Sequence, residues 1–97
     1  MQYNFEWDPA KARENLRKHG VRFERAAEIF LDPFAMSLYD EEHSLEEERW
    51  ITLGKDRNNV LLVVSHTFRE IDSENVTIRL ISARRETKGE GDTYDNR

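Results

Sequence analysis

The chain lacks cysteine, has only four glycines and two prolines, and contains no long hydrophobic run. Without cysteine it can form no disulfide, no thiolate metal site and no cysteine nucleophile. The longest apolar run, residues 60–64, is far shorter than the roughly twenty residues of a membrane-spanning helix. The first residues have neither the basic region nor the apolar core of a secretory signal. We therefore expect one small cytoplasmic domain over residues 1–97, without a membrane contact.

The sequence also lacks the patterns that hold phosphate groups and metal ions. Its four glycines are scattered, and none follows a predicted strand as a glycine-rich phosphate loop requires. His43 lies among carboxylates in residues 40–48, but a loop offers no fixed ligand spacing, so a solvated acidic loop is favoured over a metal site. The prediction is a protein without a metal or a cofactor.

Positive charge is concentrated late in a chain whose net charge is −5. Residues 1–48 contain six basic and twelve acidic side chains, residues 49–88 contain eight and five, and residues 89–97 contain one and three. A basic region within an acidic protein creates a local field to which a phosphate backbone would respond. A solvated strand edge with protective charges explains the same pattern, so charge alone leaves both interpretations open.

Apolar spacing predicts two helices after a short alternating strand at residues 3–7. The first helix is expected over residues 9–18, because the aspartate and proline at its start are typical of a helix N-terminus. A second apolar stripe covers residues 23–30 and stops at Asp32-Pro33, since the residue before proline resists helical geometry.

The remaining chain is predicted to form most of a sheet. Strands are expected at residues 34–39, 49–53, 60–68 and 76–82. The links between the later strands are short and polar, which favours antiparallel neighbours. The predicted fold class is α+β, with two N-terminal helices packed on a mainly antiparallel sheet of four to five strands.

The C-terminus is predicted to be a short helix or a tail. A helix could run over residues 83–88, but Gly89 and Gly91 each cost about 1 kcal/mol in a helix interior. Residues 89–97 are therefore expected to form a flexible tail.

Candidate catalytic side chains also lie late in the sequence. Arg79 and Arg84 can clamp a phosphodiester, because a guanidinium donates two parallel hydrogen bonds and keeps its charge. His66 can pass a proton near neutral pH, with Glu90 or Tyr94 as the complementary acid or base. The basic candidates for contact with an RNA backbone are Arg69, Arg85, Lys88 and Lys55. We expect the arginines to meet on one face, close enough to hold a single ribose-phosphate link.

Each candidate also has an ordinary structural interpretation. A histidine on a strand is more often hydrogen-bonded in the core than catalytic. Arg79 would face away from Ile78 and Leu80 and could simply cover apolar surface with its stem. Arg84 could pair with Glu90. If the strands over residues 60–68 and 76–82 are antiparallel neighbours, the histidine lies nearer Arg79 than Arg84, and the tail must fold back to join it.

A set of motifs occurs in order from residue 5 to residue 88: Phe5-Glu6-Trp7-Asp8-Pro9, Lys11, Asn15, Lys18-His19-Gly20-Val21, Phe23, Asp32-Pro33, Thr52-Leu53-Gly54, Val63-Val64, His66-Thr67 with Arg69, and Arg79 before Ile81-Ser82-Ala83-Arg84. Together these motifs resemble the BrnT family of bacterial type II toxins. Each motif is weak alone, and the ordered set is specific.

The resemblance implies a RelE-like α+β fold and a ribonuclease that arrests bacterial growth by cleaving RNA. It also implies a BrnA-like antitoxin with a ribbon-helix-helix region, which neutralises the toxin and represses the shared promoter. Promoter DNA would be bound only through the antitoxin. The family's polar signature matches His66, Arg69, Arg79 and Arg84, and Glu90 and Tyr94 match more loosely.

The chain departs from the family pattern at three positions. Arg22 stands where a serine usually caps the second helix, and Gly89 and Gly91 interrupt a final helix that is usually continuous and basic. The two glycines place the roles of Glu90 and Tyr94 in question.

Two hypotheses follow. The first is a metal-independent endoribonuclease, in which the RNA 2′-hydroxyl is the nucleophile and the protein positions the backbone and stabilises phosphate charge. The second is a weakly or non-catalytic module that binds the antitoxin and acts as a transcriptional co-repressor. A structural domain without a nucleic-acid role would make the ordered resemblance a coincidence.

Overall fold

The computed structural model describes residues 1–96, which form six strands and three α-helices. The strands are β1 (Gln2–Glu6), β2 (Met36–Tyr39), β3 (Trp50–Lys55), β4 (Leu61–His66), β5 (Arg69–Glu70) and β6 (Asn75–Arg85). The helices are α1 (Pro9–His19), α2 (Phe23–Glu28) and α3 (Lys88–Asp95), with 3-10 turns at Ile29–Leu31 and Glu41–His43.

The sheet has the strand order β1-β6-β4-β3-β2, and the short β5 also pairs with β6. The α+β class is confirmed, but the described sheet has six strands rather than four or five. The pairs β2–β3, β3–β4 and β4–β6 are antiparallel as expected. Strand β1 instead pairs in parallel with β6, from Gln2 opposite Asn75 to Glu6 opposite Arg79. Most of the chain connects these two strands, so no tight turn forces them to run in opposite directions.

Both ends of α1 follow the local sequence. The Asp8 side chain accepts a hydrogen bond from the Ala10 N–H at 2.8 Å, and Pro9 occupies the first turn. At the other end Gly20 adopts a φ of 68°, and its N–H donates to the Leu16 carbonyl. Arg22 precedes α2 without a side-chain cap, in agreement with the departure noted at this position.

The main core lies between the sheet and the first two helices. Its fully buried members are Val21, Phe23, Ala26, Ile29, Leu62, Val64, Val76, Ile78, Leu80 and Ala83. The 3-10 turn after α2 approaches the sheet closely at Gly54, where an added Cβ would lie 2.9 Å from the Ile29 Cβ. A smaller cluster covers the opposite face of the sheet and contains Leu53, Leu61, Val63 and Tyr94. We call these the helix face and the α3 face.

The C-terminal prediction needs correction. Strand β6 continues to Arg85, so residues 83–85 do not begin a helix, and α3 contains both glycines that were expected to prevent one. A reciprocal capping box between Thr87 and Glu90 satisfies two N-terminal N–H groups of α3. Burial of Tyr94 on the sheet adds apolar contact, and together these offset the cost of the glycines. Among residues 1–96, no helix combines the length and hydropathy that a bilayer span needs.

Candidate nucleic-acid interface

Arg79 and Arg84 both project from the α3 face of β6. Leu80 and Ala83 point into the helix-side core. Arg79 directly precedes Leu80 and Arg84 directly follows Ala83, so both arginines point away from the helices. Five steps along a regular strand would place two side chains on opposite faces. The register shifts by one residue here, since Leu80 pairs with His66 and Ser82 pairs with Ser65, leaving Ile81 as a bulge. The bulge restores Arg84 to the face of Arg79.

Arg79 lines a cleft of about 300 Å³. Its lining consists of Glu6, Glu47, Glu48, Thr67, Phe68, Arg69, Thr77 and Arg79. Arg69 on β5 pairs with Thr77, two residues before Arg79, so both arginines face the cleft. Arg69 is exposed and makes no ion pair with any residue in the range 1–96, whereas Arg79 donates through Nη2 to Glu47 Oε1.

A second arginine, Arg49, meets the same carboxylate. Its Nη2 lies 3.5 Å from Glu47 Oε1. Its Nε is buried and has no hydrogen-bond partner in the part of the chain that the structure describes. Neither Glu47 nor Arg49 stands out in the sequence as a site residue. The sequence feature that could have identified them is an acidic loop that ends directly before a basic residue at the start of a strand.

Arg84 lies at the other end of β6 and is held by Glu90. The guanidinium forms two hydrogen bonds to the carboxylate, of 2.7 and 2.6 Å. The hydrogen bond from Arg84 is the largest influence on the pKa of Glu90 and lowers it to about 2, and the pKa of Arg84 is raised in turn. Glu90 also accepts from the Thr87 N–H at 2.8 Å. Glu90 is therefore an ionised anchor for α3 at neutral pH.

The two arginines mark two anion positions rather than one. Arg79 binds Glu47, Arg84 binds Glu90, and roughly 15 Å of strand separates them. The expectation that they meet at one ribose-phosphate link is therefore wrong in this conformation. Lys88 is exposed at the start of α3, and Arg85 pairs with Leu62, whose side chain belongs to the helix-side core.

His66 lies in the core, on the face opposite the arginines. Its Nε2 is 2.6 Å from Thr52 Oγ1, and its Nδ1 donates to the Thr67 carbonyl at 2.9 Å. The ring meets Phe30 edge-on with centroids 4.9 Å apart. Burial lowers the pKa of His66, which favours the neutral ring. Both ring nitrogens are thus occupied, and this geometry favours the structural interpretation over proton transfer.

Tyr94 is also separate from the arginine cleft. Its hydroxyl donates to Asp32 Oδ2 at 2.7 Å, and the same carboxylate oxygen accepts from the Lys55 N–H at 2.8 Å. The Lys55 Nζ lies 5.5 Å from the centre of the tyrosine ring. These contacts attach α3 to β3 and to the chain before β2.

Asn15, one of the residues that carried the family resemblance, has a structural role in the core. Its amide Nδ2 donates to the carbonyls of Val21 and Ala83, each at 2.9 Å, and its Oδ1 accepts from the Ala83 N–H at 3.0 Å. The side chain thereby joins α1 to β6. No group of three or more His, Asp or Glu side chains among residues 1–96 is placed to hold a metal ion.

By fold and surface, the chain is a small α+β protein whose sheet presents arginines already engaged with anionic groups. Residues 7–90 match the sequence model of the family described as the ribonuclease toxin BrnT of type II toxin–antitoxin systems, and the chain therefore belongs to this family. A toxin of such a system has an antitoxin as its partner. No curated protein gives a significant match.

A solved structure supports the fold. The crystal structure of the Brucella abortus ribonuclease toxin BrnT superimposes with a TM-score of 0.61 at 24% sequence identity. The alignment covers 91% of this chain and 100% of that chain. The two proteins therefore share a fold over nearly their whole lengths.

Proposed function

We propose that this chain is an endoribonuclease toxin that arrests growth by cleaving RNA without a metal ion. Family membership supports ribonuclease activity in general. The observation that carries the proposal for this chain is the common face of Arg79 and Arg84, which gives a nucleic-acid strand two cationic positions along β6. RNA contains its own nucleophile, the 2′-hydroxyl, so the protein needs to orient the backbone and stabilise charge on the phosphate.

The cleft around Arg79 is the proposed position of the reacting phosphate. Arg69 adds a second guanidinium to its lining, one that forms no ion pair within residues 1–96, and arginine forks match two phosphate oxygens. Arg84 would bind a neighbouring phosphate, with Lys88 nearby at the start of α3. Among the cleft side chains, the carboxylates of Glu6 and Glu48 are the candidate proton acceptors. Since His66, Glu90 and Tyr94 are held elsewhere, a proton acceptor in this cleft is the simpler assignment.

The experiment is an induction and cleavage assay on Arg79→Ala and Arg69→Ala. Both variants should relieve growth arrest at equal expression, and the purified proteins should cleave a single-stranded RNA at least about tenfold more slowly. Arg57→Ala is the control, since it removes one positive charge from an exposed turn that is not part of the cleft. Undiminished cleavage by the folded Arg79→Ala variant would reject the proposed site.

A second function, antitoxin binding and co-repression with little catalysis, is favoured by one observation. Both Arg79 and Arg84 are paired with carboxylates of the same chain, so neither is open to a phosphate without exchange. Induction of the protein alone distinguishes the two functions, because arrest accompanied by shortened RNA is expected only of the nuclease.

The proposed antitoxin is BrnA-like, with a ribbon-helix-helix region that carries the contact with promoter DNA. The outer edge of β2 is a suitable docking place, since no strand of residues 1–96 pairs with it. The Asp40 N–H donates to the Arg49 carbonyl, on the side of β3. Because successive residues of a strand direct their N–H and carbonyl groups to alternate sides, those of Ser37 and Tyr39 point to the open side of β2. Leu38 is half-exposed there, and the carboxylates of residues 40–48 follow directly. An apolar antitoxin segment with basic neighbours fits this edge. The cytoplasm, where RNA and antitoxin are present, is the proposed location.

A further inference from the structure

The anion position beside Arg79 is filled by a side chain of the chain's own acidic loop, residues 40–48. This loop contains six carboxylates and no lysine or arginine. Glu47 Oε1 accepts a hydrogen bond from Arg79 Nη2 and lies 3.5 Å from Arg49 Nη2. One carboxylate oxygen thus bridges two guanidinium groups, one from β6 and one that directly precedes β3. Two arginines converging on one anionic oxygen is the arrangement that proteins use to bind phosphate.

Arg49, whose Nη2 lies near Glu47, has a second hydrogen-bond donor that Glu47 does not use. Arg49 Nε is buried and unpaired among the described residues, although buried polar groups are nearly always hydrogen-bonded. A phosphodiester carries more acceptor oxygens than the single carboxylate oxygen that now contacts both arginines. A phosphate at this position can accept from Arg79 and still present an oxygen toward Arg49.

The contact that holds Glu47 is suited to exchange. The side chains of Arg79 and Glu47 are 40% and 37% exposed, and ion pairs with that much water contact contribute little net stability. The loop itself is anchored at its ends, where the Arg49 N–H donates to Ser44 Oγ at 3.0 Å and the Asp40 N–H donates to the Arg49 carbonyl at 2.9 Å. Between these anchors Leu45 is 94% exposed. Glu47 can therefore leave the arginines without opening the sheet.

We propose that Glu47 is an internal substitute for an RNA phosphate: its carboxylate fills a phosphodiester-binding site formed by Arg79 and Arg49, and RNA must displace it to bind. This inference rests on the proposed ribonuclease function and extends it in two ways. It assigns Arg49 to phosphate binding, and it makes the acidic loop a competitor of RNA for the cleft. Phosphate binding exchanges one anion for another, so the acidic loop is expelled toward solvent as RNA enters.

The test compares Glu47→Gln with Glu46→Gln. Both variants lose one negative charge from the same loop, but Glu46 is exposed and makes no ion pair with the described residues. Binding of a single-stranded oligoribonucleotide is measured by fluorescence anisotropy over a range of salt concentrations. Glu47→Gln should bind about threefold or more tightly than the wild type, and Glu46→Gln should differ by less than about twofold.

Arg49 is tested with Arg49→Lys, which keeps the charge and loses the planar fork. We expect weaker RNA binding with an unchanged thermal unfolding midpoint, and the effect of Glu47→Gln should be smaller in the double variant. Equal affinities for Glu47→Gln and Glu46→Gln would overturn the displacement proposal while leaving the ribonuclease proposal intact, provided that Arg79→Ala still impairs cleavage. If neither the wild type nor Glu47→Gln binds RNA, both proposals fail.

Discussion

Arg79 and Arg84 lie on the same face of β6 although they are an odd number of positions, five, apart along the strand. The bulge at Ile81 supplies the extra residue that brings them into phase. Without it, Arg84 would point toward α1 and α2, where the neighbouring side chains are apolar. A local irregularity of the backbone therefore creates a surface with two cationic positions, and this is the surface that we propose to bind RNA.

The buried position of His66 predicts a pH-dependent contribution to stability. Its pKa is lowered by burial, so the unfolded chain takes up a proton at a higher pH than the folded chain does. The wild type should therefore lose stability as the pH falls below about 6.5, the ordinary histidine value. His66→Gln should be less stable than the wild type at pH 8 by about 3 kcal/mol and should show less of this pH dependence. Urea unfolding at pH 5 to 8 measures both effects.

The same variant separates the two interpretations of this histidine. If His66→Gln remains folded under assay conditions, its RNA cleavage should stay within about threefold of the wild type, because the ring is occupied by Thr52 and Thr67. A folded variant that has lost cleavage would return His66 to the catalytic site.

The ion pair between Arg84 and Glu90 predicts a stability change at acidic pH. The pKa of Glu90 is lowered to about 2 in the folded chain, so the pair stabilises the fold above the ordinary glutamate pKa and this contribution disappears as the pH falls toward 2. Glu90→Gln should destabilise the protein by about 1 kcal/mol at pH 7, a value reduced by the partial exposure of the pair. The difference from the wild type should shrink between about pH 4.5 and 2. Glu86→Gln, which changes an exposed carboxylate, should show neither effect.

Loss of the Asn15 side chain should weaken the connection between α1 and β6. Asn15→Ala leaves the N–H and carbonyl of Ala83 and the carbonyl of Val21 without this partner. Unpaired buried groups of this kind predict a loss of about 3 kcal/mol in unfolding free energy, seen as a lower urea midpoint with an unchanged slope. Arg13→Ala, on an exposed position of α1, should change the free energy of unfolding by less than about 0.5 kcal/mol. Equal midpoints for the two variants would contradict this role.

The hydroxyl of Tyr94 is expected to matter for attachment of α3 rather than for chemistry. Tyr94→Phe removes the 2.7 Å hydrogen bond to Asp32 and keeps the ring in its buried position. We expect a loss of about 1 kcal/mol and faster amide exchange in α3, with RNA cleavage close to that of the wild type. Cleavage that collapses while α3 stays protected from exchange would show that the hydroxyl takes part in the reaction.

The local predictions that hold depend on neighbouring residues. The Asp8-Pro9 start of α1 was confirmed because a cap uses atoms within one helical turn. The antiparallel pairing of β4 with β6 followed from short polar links, and the outward direction of Arg79 followed from alternation with Ile78 and Leu80. The predicted flexible tail was wrong because two kinds of contact stabilise α3 despite its glycines: the local capping box of Thr87 and Glu90, and the packing of Tyr94 on distant residues of the sheet.

The sequence by itself determined the α+β class, the start of α1, the general course of the later strands and the motifs of the toxin family. Tertiary structure decided which charged groups meet. The parallel pairing of β1 with β6, the bulge at Ile81, the burial of His66 and the contact of Glu47 with Arg79 all join segments far apart in the chain or change its register. Local propensity carries no information about such contacts, because each depends on how the whole sheet packs and on which side chains then compete for the same partner.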